Sequence, residues 1–467
     1  MGKKMKEKFT IEDLLILDAG AEGVCIGKYE ERVVFVNNVV PGDVVDVEVY
    51  KKKHHYYMAR LLQLKVPSEK RVEPKCEHFG ICGGCKWQNM DYQAQLFYKQ
   101  KQVQDHFERI GKFSFPPLKP ILPSDNIFQY RNKIEYTFSN RRWLSNEEME
   151  HADELNLNGL GFHLPGVFDK VLDINHCDLH SEIGNQIRNS LREFALKNSI
   201  SFYNIRTHEG LLRNVVIRNS VCGDLMVIVV FAYKDKFLEM VMNFLRVTFP
   251  QITSLMYVVN DKMNDSIADL EVHTFFGNDF MTEQMEDLQF HVAPQAFYQT
   301  NASQALKLYQ TVRTFANIQP EDIVYDLYTG TGTIALFVAR LAKKVVAVEY
   351  VDSAVENAKE NAILNHIDNA VFYVGDMAKV FTDDFIAKNG KPDILIADPP
   401  RNGMHPDVVA QILKIMPKRI VYVSCNPATQ ARDIALLSSA YQVIATQPVD
   451  MFPHTQHVEN VCMLEKL

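Results

Sequence analysis

The chain has no apolar run long enough to cross a membrane, which takes about 20 consecutive apolar residues. Its opening, "MGKKMKEKF", has no apolar signal core, and Lys6 stands where myristoylation prefers Ser or Thr. A short solvated arm, a cytoplasmic location and no membrane partner are therefore expected. Disulfides are not expected either, because eight cysteines in 467 residues do not make a disulfide framework. There is no excess of positive charge, since the formal net charge is −8, so bulk charge does not advertise nucleic-acid binding. Internal repeats and low-complexity tracts are absent as well. What is present is a globular composition, 47% hydrophobic, in a chain long enough for two or three domains.

The charge is unevenly spread. Residues 1–120 hold 20 Lys and Arg against 16 Asp and Glu, and the rest holds 30 against 42. The basic front end coincides with short β-rich stretches in "RVVFVNNVVPGDVVDVEVYKKKHHYYMARLLQL", as in a five-stranded oligonucleotide-binding barrel. Lys51, Lys52, Lys53, His54, His55, Tyr56, Tyr57 and Arg60 combine charge with rings that could stack on RNA bases; solvated lysines at a strand end are the plainer alternative. "MDYQAQLFYKQKQVQDHFERIG" has helical periodicity and stops at Gly111, and residues 127 to 290 mix strands with helices. From 319 onward strands and helices alternate strictly, which predicts a parallel sheet covered on both faces.

The chemistry-bearing residues fall at the ends of those last strands. In "YDLYTGTGTIAL", Gly330 and Gly332 allow a sharp turn close to a ligand, with Asp326 just before it. The third glycine of a dinucleotide fingerprint is missing, which favours S-adenosylmethionine over a pyrophosphate cofactor. Glu349 ends the second strand and would suit a ribose diol. Asp376 ends the third and would accept from an adenine amino group. The fourth strand runs into "DPPRNG", where Asp398 carries the only carboxylate. Cys425 ends the fifth, before the turn signal Asn426-Pro427 and a helix opening at 429–433 whose dipole would favour a thiolate. "DMFPHTQHVENVCMLEKL" brings in His454, His457 and Glu459. Methylating carbon 5 of uracil needs a thiolate to add at carbon 6, a base to remove the carbon-5 proton, and a methyl donor. Cys425 and Glu459 fit the first two roles, with His457 as the alternative base. Cys25, Cys222 and Cys462 read instead as small buried hydrophobes.

Cys76, Cys82 and Cys85 form C-x5-C-x2-C among glycines, a spacing that points to a metal or cluster; Cys177 in "INHCDLH" is the candidate fourth ligand. Zinc and [4Fe–4S] both satisfy that set. A single C-x2-C with a remote cysteine leans toward iron–sulfur.

"SCNPATQARD", "DPPRNG", "DLYTGTGT" and "DMFPHTQHVE" together resemble the RNA 5-methyluridine methyltransferases of the ribosomal, iron–sulfur type. The resemblance covers essentially the whole chain. It implies Cys425 as nucleophile, Glu459 as general base, and Gln299, Tyr328, Thr333, Glu349, Asp376 and Asp398 around donor and target base. It also implies a [4Fe–4S] cluster on Cys76, Cys82, Cys85 and Cys177. Tyr328-Thr329 and Thr333 depart from the family's usual Phe-Cys and Asn. The implied architecture is multidomain. An OB-like β-barrel (TRAM) spans 1–67, and an α+β central domain spans 68–290, with a helical segment at about 91–122 packed on the next domain. An α/β Rossmann-like class I methyltransferase domain spans 291–467. The implied substrate is a uridine of 23S ribosomal RNA, with no DNA partner and a monomeric chain. The alternatives are a transfer-RNA uracil methyltransferase, whose simpler members lack barrel and cluster, and an RNA-binding assembly factor without catalysis.

Overall fold

Alternation of apolar and polar residues closes the first strands on themselves. In the computed structural model, which describes residues 8–467, these are β1 (Phe9–Ala19), β2 (Cys25–Tyr29), β3 (Arg32–Val36), β4 (Val44–Lys52) and β5 (Tyr56–Val66). The arm expected at the start falls on residues 1–7, outside the described ones. The strands form a closed barrel in the order β1-β2-β3-β5-β4. Val34, Val36, Val45 and Val47 fill its interior with no exposed surface, each stabilising the fold by about 1.5–3 kcal/mol. Residues 51–55, the end of β4 and the turn to β5, are exposed, as RNA contact requires. Tyr57 differs from expectation: it is buried in the barrel, its ring 5.2 Å from the Arg32 guanidinium, so it cannot stack on a base.

The middle of the chain forms one sheet from β6 (Lys133–Ser139), β7 (Gly159–Leu164), β8 (Val167–Asp173), β9 (Leu212–Asn219), β10 (Leu225–Phe231), β11 (Ser254–Val259) and β12 (Val272–Gly277). Their order is β12-β11-β10-β9-β6-β7-β8. Helices Glu182–Lys197 and Lys236–Thr248 cover one face through Ile187, Leu191, Val241 and Leu245. The other face sends Met226, Ile228, Val230 and Met256 into the core of the C-terminal body. Burial on both sides explains why "LMVIVVF" of β10 is apolar throughout.

Two further strands, β13 (Met281–Met285) and β14 (Leu288–Val292), make a hairpin. It docks on helix Asp352–Leu364 and its end: Asn361 accepts from His291 N at 2.8 Å, and Asn365 from Gln289 N at 2.9 Å. The boundary expected between 290 and 291 therefore falls inside β14, and the whole hairpin packs with the C-terminal body.

That body is a seven-stranded sheet of β15 (Ile323–Leu327), β16 (Lys344–Glu349), β17 (Ala370–Val374), β18 (Ile394–Ala397), β19 (Arg419–Ser424), β20 (Tyr441–Val449) and β21 (Glu459–Lys466). The order is β17-β16-β15-β18-β19-β21-β20, parallel through β19, with β21 antiparallel to both its neighbours. Helix Tyr92–His106 starts at Asp91, whose side chain accepts from Gln93 N and Ala94 N. It widens into a π-turn over Phe107–Gly111 and ends at Lys112, in the left-handed region. Val103 and Phe107 are buried in the same cluster as Leu327, Val348 and Tyr422, so this segment is part of the C-terminal body's core.

Cys25 and Cys462 are buried as expected, but Cys222 is exposed. It sits in the turn between β9 and β10, so it is not the small buried hydrophobe expected of it. Maleimide labelling of the native protein is expected at Cys222 well ahead of Cys25 and Cys462, as read by peptide mass mapping.

Candidate functional site

Parallel strands present their carboxyl ends on one edge of a sheet, and the residues just past those ends share a cleft. Here a cavity of about 1,460 Å³ opens along that edge. Gln299, Tyr328, Gly330, Thr333, Glu349, Asp376, Asp398, Cys425 and Glu459 all line it. Gly332 does not. It caps helix Thr333–Ala339 with φ +77°, and a Cβ there would stand 2.8 Å from Ala358 Cβ, so this glycine serves the packing of the turn.

The donor loop is held by its neighbours. Glu349 accepts from Gly330 N at 3.0 Å and, through its other oxygen, from Tyr350 N and Val351 N. Asp326 is fully buried and accepts from Thr329 Oγ1 at 2.5 Å. Tyr328 adopts φ +67°, a conformation that costs a non-glycine residue energy and is found where a site over-determines it. Asp376 caps the short helix after β17 by accepting from Ala378 N. Cavity volume, the acidic tips and the glycine turn fit a nucleoside donor bearing a sulfonium. Glu349, Asp376 and Asp398 are the carboxylates that the strand tips bring to this cavity.

Cys425 and Glu459 meet because β19 and β21 run antiparallel. Ser424 pairs with Asn460, so the residue after one strand faces the residue that opens the other. The helix after Cys425 begins earlier than expected, at Pro427, with Asn426 as its cap. Burial, then the Glu459 and Asp398 carboxylates, push the Cys425 thiol up to about 12, outweighing the lowering effect of Arg401. Burial and Asp398 raise Glu459 to about 8, and burial with Asp326 raises Asp398 to about 7. His457 goes the other way, lowered to about 4 by burial and then Arg401, and its Nδ1 accepts from Arg401 Nη2 at 3.2 Å. His454 points elsewhere, stacked on Phe128 at 4.4 Å between ring centres. Two further cavity residues escaped the sequence reading. Phe297, 68% exposed, stands at the rim two residues before Gln299. Arg401 reaches both His457 and the field of Cys425; its place in "DPPRNG" was the available signal.

A second cavity, of about 490 Å³, is lined by Cys76, Cys82, Cys85 and Cys177. Among the described residues no three His, Cys, Asp or Glu side chains converge tightly enough to hold a single metal ion; the four thiols surround a space instead. Gly83 turns the loop at φ +78°, and a Cβ there would meet Pro165 at 2.2 Å. Gln88, almost fully buried, donates to Cys85 Sγ at 3.6 Å and accepts from Cys76 N at 2.6 Å. Asn185 fixes the Cys177 backbone by accepting from its N at 2.9 Å. The cavity thus gathers thiols from two segments, the loop of Cys76, Cys82 and Cys85 and the stretch around Cys177, a donor set of the kind that soft metals take.

A cleft of this kind, with acidic tips for a nucleoside and a thiol facing a carboxylate, places the chain in the class of S-adenosylmethionine-dependent methyltransferases. Residues 268–467 match the family described as tRNA (Uracil-5-)-methyltransferase, and residues 6–62 match the TRAM domain. A protein of Bacteroides thetaiotaomicron named as an RNA methyltransferase is 53% identical, with 95% of this chain and 99% of the relative covered. One of Chlorobaculum tepidum, likewise named, is 40% identical over 98% and 97%. The solved structure of Pyrococcus abyssi tRNA (uracil-54, C5)-methyltransferase with S-adenosyl-L-homocysteine superposes with a TM-score of 0.74 at 28% identity, covering 96% of this chain and 99% of that one. The chain belongs to the RNA uracil-5-methyltransferase family.

The raised Glu459 carboxyl has two pH consequences. A carboxyl removing the carbon-5 proton works only deprotonated, so if Glu459 has that role, release of methylated RNA from its covalent adduct is expected to speed up as pH increases through about 8, as read by adduct decay after a single turnover. The folded state also holds this proton up to about 8, while the unfolded chain releases it near 4.5. Folding stability therefore falls between those values as pH rises. Glu459→Gln is expected to flatten that fall and to melt several degrees above the parent at pH 8, as measured by differential scanning fluorimetry across pH 5 to 9.

Proposed function

We propose that the chain methylates carbon 5 of a uridine in 23S ribosomal RNA through a covalent Cys425–carbon 6 adduct. The observation that carries this reading is the juxtaposition of Cys425 and Glu459 at the edge of a cavity also lined by the donor-loop residues. Bound S-adenosylmethionine supplies an electrophilic methyl group and leaves as S-adenosylhomocysteine. Cys425, after giving up its thiol proton, adds Sγ as a thiolate to carbon 6, and the electron pair of the 5,6 double bond makes carbon 5 nucleophilic. Once carbon 5 carries the methyl group, Glu459 takes its proton, the double bond re-forms and the thiolate leaves. Glu459 suits this role better than His457, whose Nδ1 is engaged by Arg401 and whose basicity is lowered. A uracil must leave its stack to reach the cleft, so base extrusion accompanies binding.

The ribosomal substrate is supported by the resemblance of the motifs and of the cysteine spacing. Transfer RNA is the second reading. The archaeal tRNA enzyme matches 96% of this chain, too much for the barrel to lack a counterpart, so the barrel does not separate the two substrates. The [4Fe–4S] cluster on Cys76, Cys82, Cys85 and Cys177 is part of the proposal. It is supported by four thiols lining one cavity and by the cysteine spacing that the resemblance shares. The exposed residues 51–55 of the barrel would meet the RNA backbone.

Cys425→Ala is expected to lower methyl transfer by about 10³-fold or more and to abolish the adduct with 5-fluorouridine RNA, leaving S-adenosylhomocysteine binding intact. Retained turnover would sink the nucleophile assignment. Mapping 5-methyluridine in a deletion strain decides the substrate: loss from 23S RNA supports the first reading, and loss from transfer RNA alone supports the second. Anaerobically purified protein is expected to be brown and iron-loaded, and Cys85→Ser to be bleached. Colourless, zinc-loaded wild type would refute the cluster.

A further inference from the structure

We propose that Gln95 and Lys99 are positioning residues for the turn that carries Glu459, an inference that rests on reading Glu459 as the base. Residues 450–458 join β20 to β21 and deliver His457 and Glu459 to the cavity. The buried face of helix Tyr92–His106 that meets this turn is polar. Lys99 and Asp450 are both fully buried, with Lys99 Nζ donating to Asp450 Oδ1 at 2.5 Å and to Phe452 O at 2.9 Å. Tyr92 OH donates to Asp450 Oδ2 at 2.8 Å, and Phe452 N donates to Asp450 Oδ1 at 3.2 Å. One turn away, Gln95 grips His454 from two sides: its oxygen accepts from His454 N at 2.8 Å, and its Nε2 donates to His454 Nδ1 at 3.2 Å.

Apolar side chains would cover this face at less desolvation cost than a buried ion pair. What the polar set does instead is fix a shape. His454 holds φ +67°, a conformation a non-glycine residue keeps only where its surroundings over-determine it. From His454 the chain needs only Thr455 and Gln456 to reach His457, whose N donates to Thr455 Oγ1 at 3.2 Å. Loosening the grip on Asp450 and His454 thus lets Glu459 drift from the carbon-5 proton, while the donor loop, on β15 and β16, keeps its own supports.

The test uses Lys99→Met and Gln95→Leu in the full chain, with Lys99→Gln/Asp450→Asn as a charge-free rescue of the buried pair. The single variants are expected to lose about 10- to 100-fold in kcat, as small misplacements of a catalytic group do. RNA KM and S-adenosylhomocysteine binding should hold, and covalent adduct should accumulate on ordinary RNA because release is slowed. The amide pair should recover most of the rate. Wild-type kcat in a folded single variant overturns the proposal, as does a parallel loss of donor-product binding and adduct formation. If Lys99→Met does not fold, Gln95→Leu and the amide pair are judged by the same criteria. Glu459→Gln is run alongside: if it releases RNA normally, the base assignment has failed; if it stalls while the Lys99 and Gln95 variants turn over normally, only the positioning claim has.

Discussion

Everything at the reacting end depends on one strand pairing, the antiparallel lie of β21 against β19. In a wholly parallel sheet the tips at one edge are all strand ends, each followed by a loop and a helix. Reversing β21 puts the beginning of a strand among them, so Glu459 enters the row facing Cys425. A buried amide pair pins the register. Gln430 Nε2 donates to Tyr422 O and Asn460 O, and Asn460 Nδ2 donates back to Gln430 Oε1 at 2.7 Å. A slip of one residue would send Glu459 to the opposite face of the sheet. The price of that register is a nine-residue turn, which has to be held from outside the sheet.

The same edge is short of positive charge. Asp326, Asp398 and Glu459 are all raised by burial, and Asp326 and Asp398 raise neighbouring carboxyls further. Arg401 is the cation whose field lowers both Cys425 and Glu459, and Arg432 also lines the cleft. A cationic ligand in the cleft would stabilise the ionised forms of Asp398, Glu459 and Cys425 together. Donor binding and the ionisation of the proposed nucleophile and base are then linked electrostatically, and a neutral nucleoside would not supply the linkage.

The strand tips were legible in the sequence because each is local. A β run, a turn signal and a helix within about 20 residues fix where Glu349, Asp376, Asp398 and Cys425 stand. The barrel was legible for the same reason, although which rings face inward was not, and Tyr57 turned out to be core. The misses are long-range or compensated. The β13–β14 hairpin looks independent until Asn361 and Asn365, some 70 residues on, accept from its backbone. Cys222 sits in an apolar context that belongs to the strands on either side of its turn. Gln95 and Lys99 carry no signal beyond the helical periodicity of their segment, because their partners His454 and Asp450 lie more than 350 residues away.

Those distant partners also bear on why a thiol cluster accompanies a reaction that moves no electrons. Lys86 N and Trp87 N, directly after Cys85, both donate to His454 O at 2.9 and 3.0 Å. Trp87 is fully buried, and its Nε1 donates to Gly23 O in the barrel at 3.3 Å. The loop carrying Cys82 and Cys85 thus touches both the barrel and the turn that holds Glu459. A group binding those thiols would stiffen a loop of glycines and short turns that has little apolar surface of its own to bury. Its effect would be mechanical: an ordered loop between the barrel and the edge of the cleft, with the backbone of His454 as the point of contact.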